Sequence, residues 1–75
     1  MKLTEAVSLR IKDLCMSRGL TVYALAKLGG IEKNTLYQID DCKDVMLSTI
    51  YCVCTTLNIT IKDFFDSPIF TEIMD

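Results

Sequence analysis

The stretch that decides the fold is Leu20–Cys42, LTVYALAKLGGIEKNTLYQIDDC. It reads as two short helices joined by a glycine turn. Thr21 is a suitable N-cap, because its hydroxyl can accept from the unpaired N–H groups of the first helical turn. Val22 to Leu28 then carries Leu25 and Leu28 at helical spacing, with Ala24 and Ala26 small enough for close packing. Gly29-Gly30 ends that helix, since glycine accepts the left-handed conformation a helix end requires. Ile31 returns to the core, and a second helix is predicted from about Glu32 to Asp40.

The second helix has two unlike faces. At about 100° per residue, Lys33, Asn34, Tyr37 and Gln38 fall on one arc and Leu36 and Ile39 on the other. One edge can therefore pack, while a row of hydrogen-bonding side chains points outward. A merely solvated face would more often be built from Glu and Lys in i,i+4 pairs. A short helix, a glycine turn and a polar-faced second helix are the parts of a helix-turn-helix, whose second helix enters the major groove of DNA. Asn and Gln can read adenine bidentately, Lys can reach guanine O6 and N7, and Thr35 sits at the helix edge near base methyls or phosphate.

The pattern T21-V-Y-A-L25-A26-K-L-G-G30-I31-E-K-N-T35-L36-Y-Q-I39-D40 resembles the phage-repressor or Cro-like helix-turn-helix family, of XRE type. Downstream, I50-Y-C-V-C54-T-T-L57-N-I59-T-I61-K-D-F64-F65-D resembles the fourth and fifth helices of its small members. The resemblance covers roughly residues 7 to 66. It implies an all-α, five-helix, lambda-repressor-like DNA-binding domain, to which this chain adds a short C-terminal helix. It also implies that Lys33, Asn34 and Gln38 stand at the usual base-reading positions, joined by Thr35 and Tyr37. Thr21, Lys27 and Lys43 are the expected phosphate contacts. Three positions depart from the family. Val22 replaces a glutamine that normally touches phosphate. Asp41 replaces a neutral or basic residue. Cys42 stands where a glycine usually takes a left-handed conformation.

At 75 residues the chain reads as one small domain, 1–75, with the helix-turn-helix at 21–40. Apolar residues make up 51%, ample for a core. The four cysteines lie inside helical patterns, and no signal peptide is evident, so a disulfide framework is not expected. The expected setting is the cytoplasm of a bacterium, from a bacterial or phage gene, with reduced thiols. No apolar run reaches the roughly 20 residues of a membrane span. Cys52 and Cys54 point about 200° apart on a helix and cannot easily share a metal ion. No metal, cofactor or small-molecule ligand is expected.

The net charge is −2, which is unusual for a protein that binds phosphate. Distribution matters more than the total. Residues 1–19 carry Lys2, Arg10, Lys12 and Arg18 against Glu5 and Asp13. Residues 44–75 carry Lys62 against Asp44, Asp63, Asp66, Glu72 and Asp75. A basic end facing DNA and an acidic end facing away is the expected arrangement.

The flanking helices follow the same rules. Thr4 is the predicted cap of a first helix whose buried stripe is Leu3, Val7, Ile11 and Leu14, ended by Gly19. A fourth helix starts at Leu47 or Ser48, buries Leu47, Ile50, Val53, Cys54 and Leu57, and ends at Asn58, a left-handed substitute for glycine. Thr60–Asp63 has capping-box spacing and opens a fifth helix to Asp66. Ser67-Pro68 opens a tail helix over about 68–74. Its apolar residues Ile69, Phe70, Ile73 and Met74 are candidates for a dimer surface.

The function implied is sequence-specific binding of double-stranded DNA by a dimeric transcriptional regulator, a repressor, on a pseudo-palindromic operator. The alternative is a protein-interaction module that keeps the fold without strong DNA affinity, as the acidic balance, Val22 and Asp41 suggest. An enzyme is disfavoured: the chain has no histidine, no nucleophile motif and no glycine-rich phosphate loop.

Overall fold

A computed structural model describes residues 1–74, and within them every regular element is helical. Five α-helices follow one another: α1 Leu3–Ser17, α2 Val22–Gly29, α3 Lys33–Asp40, α4 Leu47–Leu57 and α5 Ile61–Phe65. A single 3-10 turn, Pro68–Thr71, closes the series.

Local chemistry sets most of the boundaries. The Thr21 hydroxyl accepts from the Ala24 N–H at 3.0 Å and starts α2. Asn58 ends α4 in the left-handed region with φ of 57°. At the start of α5 the Asp63 N–H donates to Thr60 Oγ1 at 3.0 Å, and the Thr60 N–H donates to Asp63 Oδ2 at 3.2 Å. Cys42 occupies the left-handed conformation with φ of 56°, where a side chain is strained.

Four expectations are corrected. The first helix is not capped by Thr4. It begins two residues earlier, because the Lys2 N–H donates to Glu5 Oε1 at 3.1 Å and so makes Lys2 the flanking residue. Its buried face is Ala6, Val7, Ile11 and Cys15, rotated away from Leu3, which is 45% exposed. Leu28 and Leu47 are exposed as well, at 69% and 63%. On α2 the packing face is Leu25, Ala26 and Gly29 instead, since glycine lets the helix approach α4 more closely than leucine would. A Cβ on Gly29 would lie 2.7 Å from Thr56 Oγ1. The tail is shorter than a helix over 68–74: only one 3-10 turn forms, started by the Ser67 hydroxyl, which accepts from the Ile69 N–H.

The core is one cluster in which Ile11 and Cys15 of α1, Leu25 of α2, Ile39 of α3, Val53, Cys54 and Leu57 of α4, and Phe64 of α5 are nearly or fully buried. Phe70 of the 3-10 turn packs on it from outside, with its ring centroid 5.0 Å from that of Phe65. All four cysteines are free thiols. Burial raises the pKa of Cys15 and Cys54, and the nearby Asp63 charge raises that of Cys54 further. No helix of the described residues is long and apolar enough to cross a membrane.

Helix α1 ties the ends of three other helices together. Arg10 donates from Nε to the Phe64 carbonyl at 2.7 Å and from Nη2 to the Asp63 carbonyl at 2.8 Å, closing α5. Arg18 donates from Nη1 to the Leu57 carbonyl, the last residue of α4. Lys12 donates to the Asp40 carbonyl at 3.5 Å, with its ammonium 3.8 Å from the Asp40 carboxylate, at the end of α3. The last carbonyls of a helix lack intrahelical donors and carry partial negative charge, so a cation there is stabilising by about 0.3–1 kcal/mol. Arg10 and Lys12 of α1 and Arg18 just after it are thereby engaged at helix ends.

Candidate nucleic-acid interface

The glycine turn sets the angle between α2 and α3. Gly30 adopts φ of 67°, and the Ile31 N–H donates back to the Ala26 carbonyl at 2.9 Å. Glu32 then flanks α3 in extended geometry. Ile39 is fully buried and Leu36 half-buried, and these two residues fix the rotation of α3. On the opposite side Lys33, Asn34, Tyr37 and Gln38 are all exposed. The row expected from the spacing is therefore present as one outward face.

Thr35 lies off that row. It is half-buried and lines a shallow crevice against Met46, Ser48 and Thr49 at the start of α4. Lys33 leans along the helix, with Nζ 5.9 Å from the centroid of the Tyr37 ring, close enough for a cation–π attraction.

The candidate phosphate contacts separate into three places. Lys27 on α2 lies beside Lys33 at the start of α3, whereas Thr21, which caps α2, shares a groove with Lys12 and Asp40. Lys43 lies beyond the other end of α3, where its own N–H donates to the Gln38 carbonyl at 2.8 Å. Its surroundings there are Leu3, Thr4 and Phe65. Asp41 follows α3 directly and is exposed, whereas Val22 is half-buried against the core and offers nothing to a ligand.

Two features of this face escaped the reading of the sequence. The first is Tyr23, 64% exposed on α2. It stands across from Tyr37 in a groove of about 410 Å³ between the two helices, with Lys27 and Lys33 beside them and Ala26, Ile31 and Leu36 completing the lining. The signal was available, because Tyr23 and Lys27 are four residues apart and share one face of α2. The second is Lys12. It sits with Asp40, Met16 and Thr21 in a continuing groove of about 600 Å³, which Tyr23, Leu36 and Tyr37 also line. No signal within α1 points to Asp40, 28 residues away.

Arg10 and Arg18 reach the ends of α5 and α4, and the lysines on and around α2 and α3 are Lys12, Lys27, Lys33 and Lys43. The candidate dimer residues are also partly used inside the chain. Ile69, Phe70 and Ile73 are half-buried, while Met74 is 84% exposed and its N–H donates to the Met1 carbonyl at 2.8 Å.

Comparison with known proteins agrees with this geometry. The chain is similar to a prophage protein known from the crystal structure of prophage Lp1 protein 11. The two are 34% identical and superpose with a TM-score of 0.85, covering 97% of this chain and 100% of the other. No curated protein matches the chain. A family model for the Cro/C1-type helix-turn-helix DNA-binding domain matches residues 10–68, from Arg10 on α1 to the first residue of the 3-10 turn. The chain belongs to the Cro/C1-type helix-turn-helix DNA-binding domain family.

Proposed function

We propose that this protein is a sequence-specific transcriptional regulator, a repressor of bacterial or phage origin, that binds double-stranded DNA as a homodimer in the cytoplasm. The observation that carries the reading is the exposed row on α3, opposite buried Ile39, in a chain of this family. Asn34 and Gln38 are the base readers, since each amide can donate and accept at an adenine edge in the major groove. Tyr37 flanks them, and Thr35 meets the adjoining strand from the edge of the helix. Lys27, Lys43 and Thr21 meet phosphates.

Dimerisation follows from the size of the footprint. One recognition helix reads only a few base pairs, and paired half-sites about 34–36 Å apart supply the rest of the specificity. The tail is the proposed contact between copies, through the outer surfaces of Ile69, Phe70, Ile73 and Met74. The protein acts by occupying DNA rather than by catalysis, and needs no cofactor.

The test is selection of bound sequences from a random duplex pool at low and moderate salt, with the affinity of the selected duplex followed by fluorescence anisotropy. A two-fold symmetric site is expected. Lys27 and Lys43 in each of two protomers would give a slope of log K against log salt of about −3.6. A second reading, a protein-interaction module of the same fold, is favoured by the exposed Asp41 and Asp44 beside α3. Failure to bind any duplex at low salt would select it.

A further inference from the structure

We infer that two copies of this chain meet across a notch rimmed by Leu3, Leu47 and Phe65, with Lys43 of each copy paired to Asp44 of the partner subunit. The inference rests on the homodimer reading above and deepens it. The tail becomes one edge of an interface whose centre is the start of α4.

The notch holds about 200 Å³ and is mostly apolar. Leu3, Leu47 and Phe65 are exposed at its rim, while Val7, Val45 and Ile50 line it from the side of the core. Tyr51, one turn along α4 from Leu47, is exposed on the same side of that helix. Single exposed hydrophobes need no explanation, but a contiguous patch marks a contact surface. The patch runs on into the tail. The Phe65 ring centroid is 5.0 Å from that of Phe70, and the Met74 N–H donates to the carbonyl of Met1, two residues before Leu3. The notch is therefore continuous with the surface already proposed for self-association.

Charge argues for what covers it. The charged residues that line the notch are Lys43 and Asp44, one of each sign. Both are exposed, and neither has an ion-pair partner among the described residues, where the pair that forms is Lys12–Asp40. A lining of zero net charge has no field to draw a polyanion or an anionic membrane surface. A second copy brings the same set. In a two-fold pair, residue i of one copy meets j of the other while j meets i. Neighbours of opposite sign can thus form two ion pairs at once, with Leu47 of each copy entering the notch of the other. The Lys43 ammonium has three donors, so it can hold this carboxylate and a phosphate together.

Position favours the same occupant. Lys43 follows α3 closely, with its N–H on the Gln38 carbonyl at 2.8 Å. A dimer joined beside Lys43 keeps both recognition helices near its axis, as paired half-sites require. Asp44, which alone would repel phosphate, is offset there by the partner's Lys43.

The experiment follows the mass of the full chain by sedimentation equilibrium, under reducing conditions at low salt, free and on its selected duplex. The variants are Leu47→Glu, Leu28→Glu, Met74→Glu, Lys43→Asp and Asp44→Lys, and circular dichroism confirms that each is folded. Leu47 is the first residue of α4, where an acidic side chain suits the helix N-terminus. Leu47→Glu is expected to raise the dissociation constant of the dimer by about a hundredfold or more, since two buried leucines are lost. Leu28→Glu, exposed on α2 outside the notch, is expected to leave it unchanged. Lys43→Asp and Asp44→Lys are each expected to be mainly monomeric alone, and an equimolar mixture of the two to dimerise. A Leu47→Glu chain that associates like the parent overturns the inference. If Met74→Glu is then monomeric, the homodimer reading survives on the tail alone. A mixture of the two charge variants that associates no more tightly than either one overturns the pairing of Lys43 with Asp44. If the parent is monomeric both free and on the duplex, the homodimer reading itself falls, and the inference with it.

Discussion

Arg10 and Phe64 are 54 residues apart in the chain, yet the Arg10 Nε donates to the Phe64 carbonyl at 2.7 Å. The same guanidinium reaches the Asp63 carbonyl, so one side chain closes α5 with two charge-assisted bonds. A hydrogen bond to a charged group is worth about 1.5–3 kcal/mol. Arg10→Met keeps the apolar stem and should cost about 2 kcal/mol, read as a lower urea midpoint at unchanged slope. Arg10→Lys should recover less than half of that, because an ammonium cannot supply the forked geometry. A variant as stable as the parent would show that the carbonyls of α5 are equally well served by water.

The approach of α2 to α4 gives a second expectation. A methyl on Gly29 would meet Thr56 Oγ1 at 2.7 Å, and that hydroxyl is held by its own bond to the Cys52 carbonyl at 2.8 Å. Alanine in a helix normally gains about 1 kcal/mol over glycine. Here Gly29→Ala should instead destabilise by about 1–3 kcal/mol through overpacking. Thr56→Ala in the same chain should restore most of the loss. A double-variant cycle with no coupling would mean that the two helices slide apart freely.

Two residues with nearly equal backbone angles should respond differently to glycine. Cys42 and Asn58 have φ of 56° and 57°. Asparagine tolerates the left-handed region by local hydrogen bonding, whereas cysteine has no such help. After allowing for the greater freedom of glycine in the unfolded chain, Cys42→Gly should stabilise by about 0.5–1 kcal/mol. Asn58→Gly should be nearly neutral, and Asn58→Ala should destabilise. Thermal unfolding of the three variants reads the order directly.

The start of α5 makes stability depend on acid. The Thr60 backbone and hydroxyl bonds, and to a lesser extent the charges of Lys62 and Arg10, hold the Asp63 carboxyl below the usual carboxylate range. A depressed folded-state value means that the contribution is fully present above the unfolded value and is lost as pH falls through the folded one. Unfolding followed between about pH 2 and pH 5 should therefore show a declining midpoint, and part of the decline should vanish in Asp63→Asn. An identical acid limb in both proteins would place the sensitivity elsewhere.

The legible parts of the fold were those whose cause lies within four or five residues. Thr21, Gly30, Asn58 and the Thr60–Asp63 box each satisfy a neighbour on the same turn, and the left-handed turn at Cys42 followed from family resemblance. The face of α3 was legible for the same reason, because periodicity alone separates Ile39 from Asn34 and Gln38. Leu28 and Leu47 were misleading because hydrophobicity does not say which side of a helix finds a partner. Gly29 won the packing face of α2 by being small. Arg10, Lys12 and Arg18 looked like a basic surface because their partners lie 54, 28 and 39 residues downstream. Tyr23 was overlooked because a groove belongs to two helices at once.

The capping role of α1 has a consequence for synthesis. A ribosome delivers chain from the N-terminus at about 5–20 residues per second. Helix α1 is therefore made before the three helices whose ends it meets, and is among the last to be completed. Its Lys12 waits for the end of the recognition helix, its Arg18 for the end of α4, and its Arg10 for Phe64. Lys12 and Arg18 find their carbonyls first, and Arg10 waits longest, until Phe64 has left the exit tunnel. Only the finished fold sets all three side chains against the ends of other helices.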